Sequence, residues 1–274
     1  MAATPREFAE GIGRAFAGAL LFSLPILMTM EMWWLGFYMA PWRLILMVAA
    51  FFPILVALSH FVGFDETAGL PHDIVHATVA YGVALTCSAA ILGVLAILRP
   101  GMGARELTGK ILLQSVPAAL GALLAQAHFG SPPEKEQRRR EASYLSHLFF
   151  IVVGALYVAM TVAPTDEMVL IAARMTDAHA IAAAIISLAL LHVFVYGAGF
   201  AGHPVSEDAP NALRPFLRLT VVGYALSLGV SAFLLWIFGR FENESIVPIV
   251  HGTVVLGLPA ALGAAAARLT LDTE

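Results

Sequence analysis

Charge is scarce in this chain: of its 274 residues only 12% are Asp, Glu, Lys or Arg, about half the roughly 25% usual in soluble domains. The few charges also cluster, and the long windows between them carry almost none, which excludes a water-soluble domain. Cysteine occurs once, as Cys87, so no intramolecular disulfide can form. Within an apolar run this thiol reads as a small packing residue. The net charge of −4 lies in loops and outlines no nucleic-acid-binding face. No phosphate-cradling loop, nucleophile elbow, haem-attachment motif or H-E-x-x-H spacing appears. Nothing therefore argues for an enzyme, and no cofactor is assigned.

Apolar residues fill the space that charge leaves. They make up 59% of the chain, with 17 Phe and 23 Gly. A spanning helix needs about 20 mostly apolar residues, and residues 15–30, 44–59, 74–98 and 220–238 are among the windows that qualify. Residues 1–14 resemble the start of a signal peptide, but no small-residue cleavage site follows. Residues 16–30 are better read as a first retained span. The expected fold class is an all-α polytopic membrane protein.

An internal repeat organises the spans. At an offset of 136, Gly18-Ala19-Leu20 meets Gly154-Ala155-Leu156, and Thr29, Glu31, Met32 and Met39 meet Thr165, Glu167, Met168 and Met175. Gly63-Phe64 meets Gly199-Phe200 at the same offset. Tyr81 and Ser88-Ala89 meet Tyr224 and Ser231-Ala232 at 143, and the block from Pro117 to Ala122 meets that from Pro259 to Ala264 at 142. Each half then holds four apolar segments, near 14–30, 41–61, 74–98 and 111–127, and near 147–163, 177–199, 217–238 and 247–269. The expectation is eight helices as two parallel four-helix repeats, residues 1–130 and 146–274. A charged cytoplasmic linker, residues 131–145, joins them, marked by Pro132-Pro133 and Arg138-Arg139-Arg140. An even number of spans per half gives both the same orientation. With cytoplasmic termini, nine Lys and Arg residues fall inside and six outside, which favours that topology although Arg99, Arg105 and Lys110 fall outside.

The repeated Glu-Met step is the sharpest candidate site. Pro164-Thr165 should end one helix and Thr165 should cap the next, with Asp166 and Glu167 in its first turn. New helix starts at Pro41 and at Thr176-Asp177 then make 31–39 and 167–175 short helices between spans. Acidic groups near hydrocarbon are expensive and mark function by default. Glu31 and Glu167 are therefore read either as a paired cation or proton site or as helix caps at the lipid–water boundary beside Trp33-Trp34. Arg43 and Arg174 either pair with Glu31, Asp166 or Glu167, or reach to the headgroups. Among His60, His76, His147, His192 and His251, hydrogen bonding between helices is the expected role. His192, nearest the middle of a span, is the one set apart. Met28, Met30, Met32, Met39 and Met47 suit packing better than copper(I), because alternate residues do not share a helix face. Pro25, Pro53, Pro117 and Pro259 interrupt spans, and the last two match between the halves. With Gly121 and Gly263 they mark either a binding site or, more simply, close helix packing.

The stretch from Thr29 to Tyr38, His128-Phe129-Gly130 with the charged linker, and Pro164-Thr165-Asp166-Glu167-Met168 resemble a bacterial integral-membrane family of unknown function, over nearly the whole chain. The resemblance implies a bacterial inner-membrane location and, from a two-gene neighbourhood, a small membrane partner protein. It supplies no activity. From the residues, the leading expectation is a transport protein, channel or carrier, for a small cation or proton. Its path would lie at the repeat interface and use Glu31, Glu167, Asp166, His192, Arg43 and Arg174. The alternatives are a haem- or metal-binding redox protein using His60, His76, His192 or His251, and a scaffold that meets its partner through residues 134–140. Expected partners are the bilayer, a small ion, a membrane protein or a second copy of the chain, and no nucleic acid.

Overall fold

In hydrocarbon every backbone N–H and C=O must be satisfied within the chain, so an apolar run has to become helix. The computed structural model describes residues 5–62, 69–129, 144–197 and 216–272, and every regular element among them is helical. In chain order these are α1 (Pro5–Leu27), α2 (Met30–Tyr38), α3 (Pro41–Val62), α4 (Gly69–Val94), α5 (Ala104–Phe129), α6 (Tyr144–Val162), α7 (Asp166–Arg174) and α8 (Asp177–Gly197). A π-helical turn (Phe216–Val221) then runs into α9 (Val222–Ile237), and α10 is Ile246–Asp272. Among the described residues seven helices are long and apolar enough to cross a membrane, and α1 adds a shorter apolar stretch, Gly11–Leu21. The protein is thus an all-α polytopic membrane protein with about eight such helices. It divides into two compact units, residues 1–131 and 132–274.

In the first unit α5 packs against α1, α2, α3 and α4. Its segment from Leu113 to Leu124 is buried along almost its whole circumference, including Gln114 and Ser115. A helix surrounded by protein needs no lipid-facing stripe, which explains why small and polar residues are tolerated there. Short α2 buries Met32, Leu35 and Gly36, one face at i, i+3 and i+4, and exposes Trp34, Phe37 and Tyr38. Gly36 and Gly109 bring α2 and α5 together at the backbone: a Cβ on Gly109 would stand 2.1 Å from the Gly36 carbonyl oxygen.

In the second unit α10 packs against α6, α7, α8 and α9. Short α7 buries Met168 and Ala172. The closest approach here is between α6 and α10, where a Cβ on Gly154 would lie 2.2 Å from the Gly263 oxygen. Both glycines are fully enclosed by the partner backbone, so no side chain larger than hydrogen fits.

The turns after α4 and α9 show how these helices stop. Gly239 takes φ 79°, Arg240 N–H donates to Leu235 O at 2.8 Å and Gly239 N–H to Trp236 O at 3.0 Å. That double bond is a Schellman closure, which favours glycine in its left-handed position. After α4 the same two bonds form, from Ile97 to Leu92 at 2.9 Å and from Ala96 to Gly93 at 3.0 Å. There the left-handed residue, at φ 55°, is Ala96.

Some expectations are revised. Pro25, Pro53, Pro117 and Pro259 sit inside continuous helices and do not interrupt them, because each removes one ladder bond while neighbouring bonds and packing persist. The first helix starts and ends earlier than expected, and the fourth long helix begins at Ala104. Of the expected linker, Tyr144 and Leu145 belong to α6, and residues 131–143 lie outside the described residues.

Two predictions follow from this packing. Gly263→Val should lower stability by about 1–3 kcal/mol through overpacking, read as a lower unfolding midpoint in detergent. Gly229→Ala, whose added Cβ meets nothing within 4 Å, should not lower it. At the two turns the signs should oppose: Ala96→Gly stabilises and Gly239→Ala destabilises, each by about 1–2 kcal/mol, the steric penalty of a left-handed β-carbon.

Candidate functional site

Ionisable side chains gather at the end of each unit that carries the short helix. In the first unit, Glu31 opens α2 and is half-buried. The Trp33 indole N–H donates to Leu27 O at 2.6 Å, which ties α2 back to the end of α1. Arg43, also half-buried, lies over the Trp42 ring, 5.1 Å from its centroid. At the start of α5, Lys110 Nζ donates to Glu106 Oε1 at 2.6 Å. The lysine is buried because its backbone abuts Gly36. An i, i+4 Glu-to-Lys pair is ordinary on a helix surface; enclosed in a membrane helix, it is not.

In the second unit Asp166 and Glu167 occupy the first turn of α7, both exposed. The cation that meets Asp166 is Arg240, not Arg174: Arg240 Nη1 donates to Asp166 Oδ1 at 3.1 Å, and Nη2 donates to the Pro164 carbonyl. Arg174 stands at the far end of α7, roughly 12 Å along a helix rising 1.5 Å per residue. Thr165 holds the N-cap position, but its hydroxyl donates back to Val162 O at 2.8 Å and makes no cap bond to α7. The Val162 carbonyl at the end of α6, which also accepts the Thr165 backbone N–H at 3.0 Å, thereby gains a second donor. His251, buried at the start of α10, shares a 3.0 Å hydrogen bond between Nε2 and Asp177 Oδ1 on α8. The carboxylate side of this pair is 88% exposed, so an enclosed imidazole touches water through an exposed acid.

At the opposite ends of these helices other histidines join neighbours. His60 Nδ1 and Asp73 Oδ2 are 2.9 Å apart, linking the end of α3 to the start of α4. His72 and His76 meet edge to face at 4.1 Å. His192 Nδ1 and Thr220 Oγ1 are 3.0 Å apart, and the ring meets Phe216 at 5.0 Å. Thr220 and Phe216 belong to the π-helical turn, a form found often at functional sites. His192 lies five residues before the end of α8 (197 − 192) and so is not central in its span. Within α5, Gln114 reaches the Ile26 carbonyl at 3.4 Å, and its own buried oxygen has no partner among the described residues.

The expected residues are therefore only partly brought together. Asp166 is engaged, His192 bridges two helices, and Gly263 makes a backbone contact. Pro117, Gly121 and Pro259 lie inside hub helices α5 and α10. Lys110, Glu106, Arg240, Asp73 and Asp177 were not among the expected site residues. Only the Glu106–Lys110 spacing could have signalled its pair. No group of three or more His, Cys, Asp or Glu able to hold a metal occurs among the described residues.

Helices of spanning length with their charges confined to the ends define a polytopic integral membrane protein. The chain belongs to the family described as "Putative integral membrane protein (DUF2391)", which it matches over residues 11–271. No curated protein and no solved structure matches it.

The two bonds of Arg240 separate a burial effect from a charge effect. Arg240→Ala should cost about 1.5–3 kcal/mol through loss of charged hydrogen bonds, whereas Asp166→Asn, at an exposed carboxylate, should cost less than about 1 kcal/mol. Chemical denaturation of the two variants in the same detergent reads the difference.

Proposed function

We propose that this chain is a membrane transport protein for a small cation or proton. The observation that carries the reading is an enclosed basic side chain at the start of the hub helix in each unit, Lys110 bonded to Glu106 on the same helix and His251 bonded to the exposed Asp177 of α8. Charged groups in a membrane helix are costly and persist where an ion or proton path needs them. His251, bonded to an exposed acid, connects the enclosed start of this hub helix to water. Glu31, Asp166 and Glu167 lie at the same ends as these pairs and suit the mouth of a cation path.

The proposal includes descent of the two units from one repeated plan. Support comes from the element order, since each unit runs long helix, nine-residue helix, then three long helices. It also comes from the matched helix closures at Ala96 and Gly239, separated by the 143 residues that separate Tyr81 and Tyr224. A bacterial inner-membrane location with both termini cytoplasmic accompanies the reading, supported by the distribution of Lys and Arg between loops.

Flux into proteoliposomes tests it. Wild type should pass protons or a monovalent cation above empty vesicles. Glu31→Gln, Glu167→Gln and His251→Gln should each reduce the rate by about tenfold or more, a barrier change of at least ~1.4 kcal/mol. A folded sample with no flux for any of these ions would overturn the reading.

A further inference from the structure

The first unit has a second feature that the transport reading does not use. A groove of about 620 Å³ opens between α3 and α4, within the roughly 300–1,000 Å³ range of ligand-sized pockets. Its walls are apolar, with Phe52, Pro53, Val56 and Ala57 on α3 facing Ile74 on α4. Among the described residues its ionisable lining is His60 and Asp73, which are bonded to each other at 2.9 Å. Asp73 is the sheltered member, with its side chain 13% exposed against 68% for His60.

The order of these residues along the helix matters. Phe52 and His60 are eight residues apart, so the groove runs about 12 Å along α3. It starts from a polar pair near the end of the span and descends between apolar walls. That is the profile of an amphiphile: one polar head at the boundary and one chain in the hydrocarbon. Both α3 and α4 are spans with only 33% of each buried inside the protein, so the groove lies on helices whose remaining surface faces an apolar medium. Among the described residues no Lys or Arg lines it. A bare phosphate or an anionic head would meet the Asp73 carboxylate with no Lys or Arg among the described lining residues to offset the repulsion. An ammonium group instead finds a charge-assisted acceptor there.

We propose that this groove holds an acyl chain of an aminophospholipid from the surrounding bilayer, with the lipid ammonium group donating to the Asp73 carboxylate. His60 orients that carboxylate through its ring nitrogen. The lipid's phosphate stays in water, beyond the mouth.

Native mass spectrometry of the full chain, released from detergent with equal amounts of phosphatidylethanolamine and phosphatidylglycerol of the same chain length, tests the proposal. The wild type should retain one phosphatidylethanolamine in about tenfold preference. Asp73→Asn should bring the two lipids to parity, and Asp73→Glu should restore the preference, which a merely structural carboxylate would not do. Val56→Trp, filling the groove, should reduce retention of both lipids. Equal retention of the two lipids by wild type, or retention unaffected by Val56→Trp, overturns the assignment. So does efficient disulfide crosslinking of Ala57→Cys to a second copy in the bilayer, because the groove would then be covered by protein. None of these readouts depends on ion flux, so this binding site and the transport reading stand or fall separately.

Discussion

Backbone-to-backbone contact at glycine is the interaction on which each unit depends. Between spanning helices there is little hydrophobic drive, since lipid tails are as apolar as leucine, and association rests on close van der Waals packing. α2 reaches α5 through Gly36 and Gly109, and α6 reaches α10 through Gly154 and Gly263. These contacts set one helix of each unit against all the others. Enclosure of the hub in turn permits residues that lipid would penalise. Gln114 and Ser115 are buried in α5, and Ser115 donates to the Tyr81 hydroxyl at 3.0 Å.

The same packing decides where charge can sit. Lys110 follows Gly109, so its burial is a direct consequence of the α2–α5 contact. Its ammonium stays tolerable because Glu106 lies one turn away on the same helix and both stand at the first turns of α5. Arg240 follows Gly239, whose left-handed turn closes α9 and carries the guanidinium toward Asp166 and Pro164. In both cases a glycine fixes the position of the next residue, and that residue is a cation.

Much of the architecture was legible because it is written in local terms. Apolar runs of spanning length appear as helices, and the nine-residue helices were signalled by Pro41, Pro164-Thr165 and Thr176-Asp177, residues that start or stop helices by their own local chemistry. The proline expectation failed because local chemistry is overruled when the rest of the hydrogen-bond ladder is held by packing. Thr165 failed as a cap for a similar reason: the end of α6 offered its hydroxyl an acceptor three residues back. The partners at the candidate site were not legible at all. His251 and Asp177 are 74 positions apart, as are Arg240 and Asp166. No periodicity encodes which of several loop acids a given cation will meet.

The ionisable pairs of the two hubs also differ in which helices they join. Lys110 and Glu106 lie on one helix, so their bond is insensitive to any movement of α5 against its neighbours. His251 and Asp177 lie on α10 and α8, and their bond exists only while those helices keep their present register. The 3.0 Å bond of this pair therefore acts between two helices. In the second unit a contact between ionisable groups ties the hub helix to a neighbour, whereas in the first unit it stays within the hub helix itself.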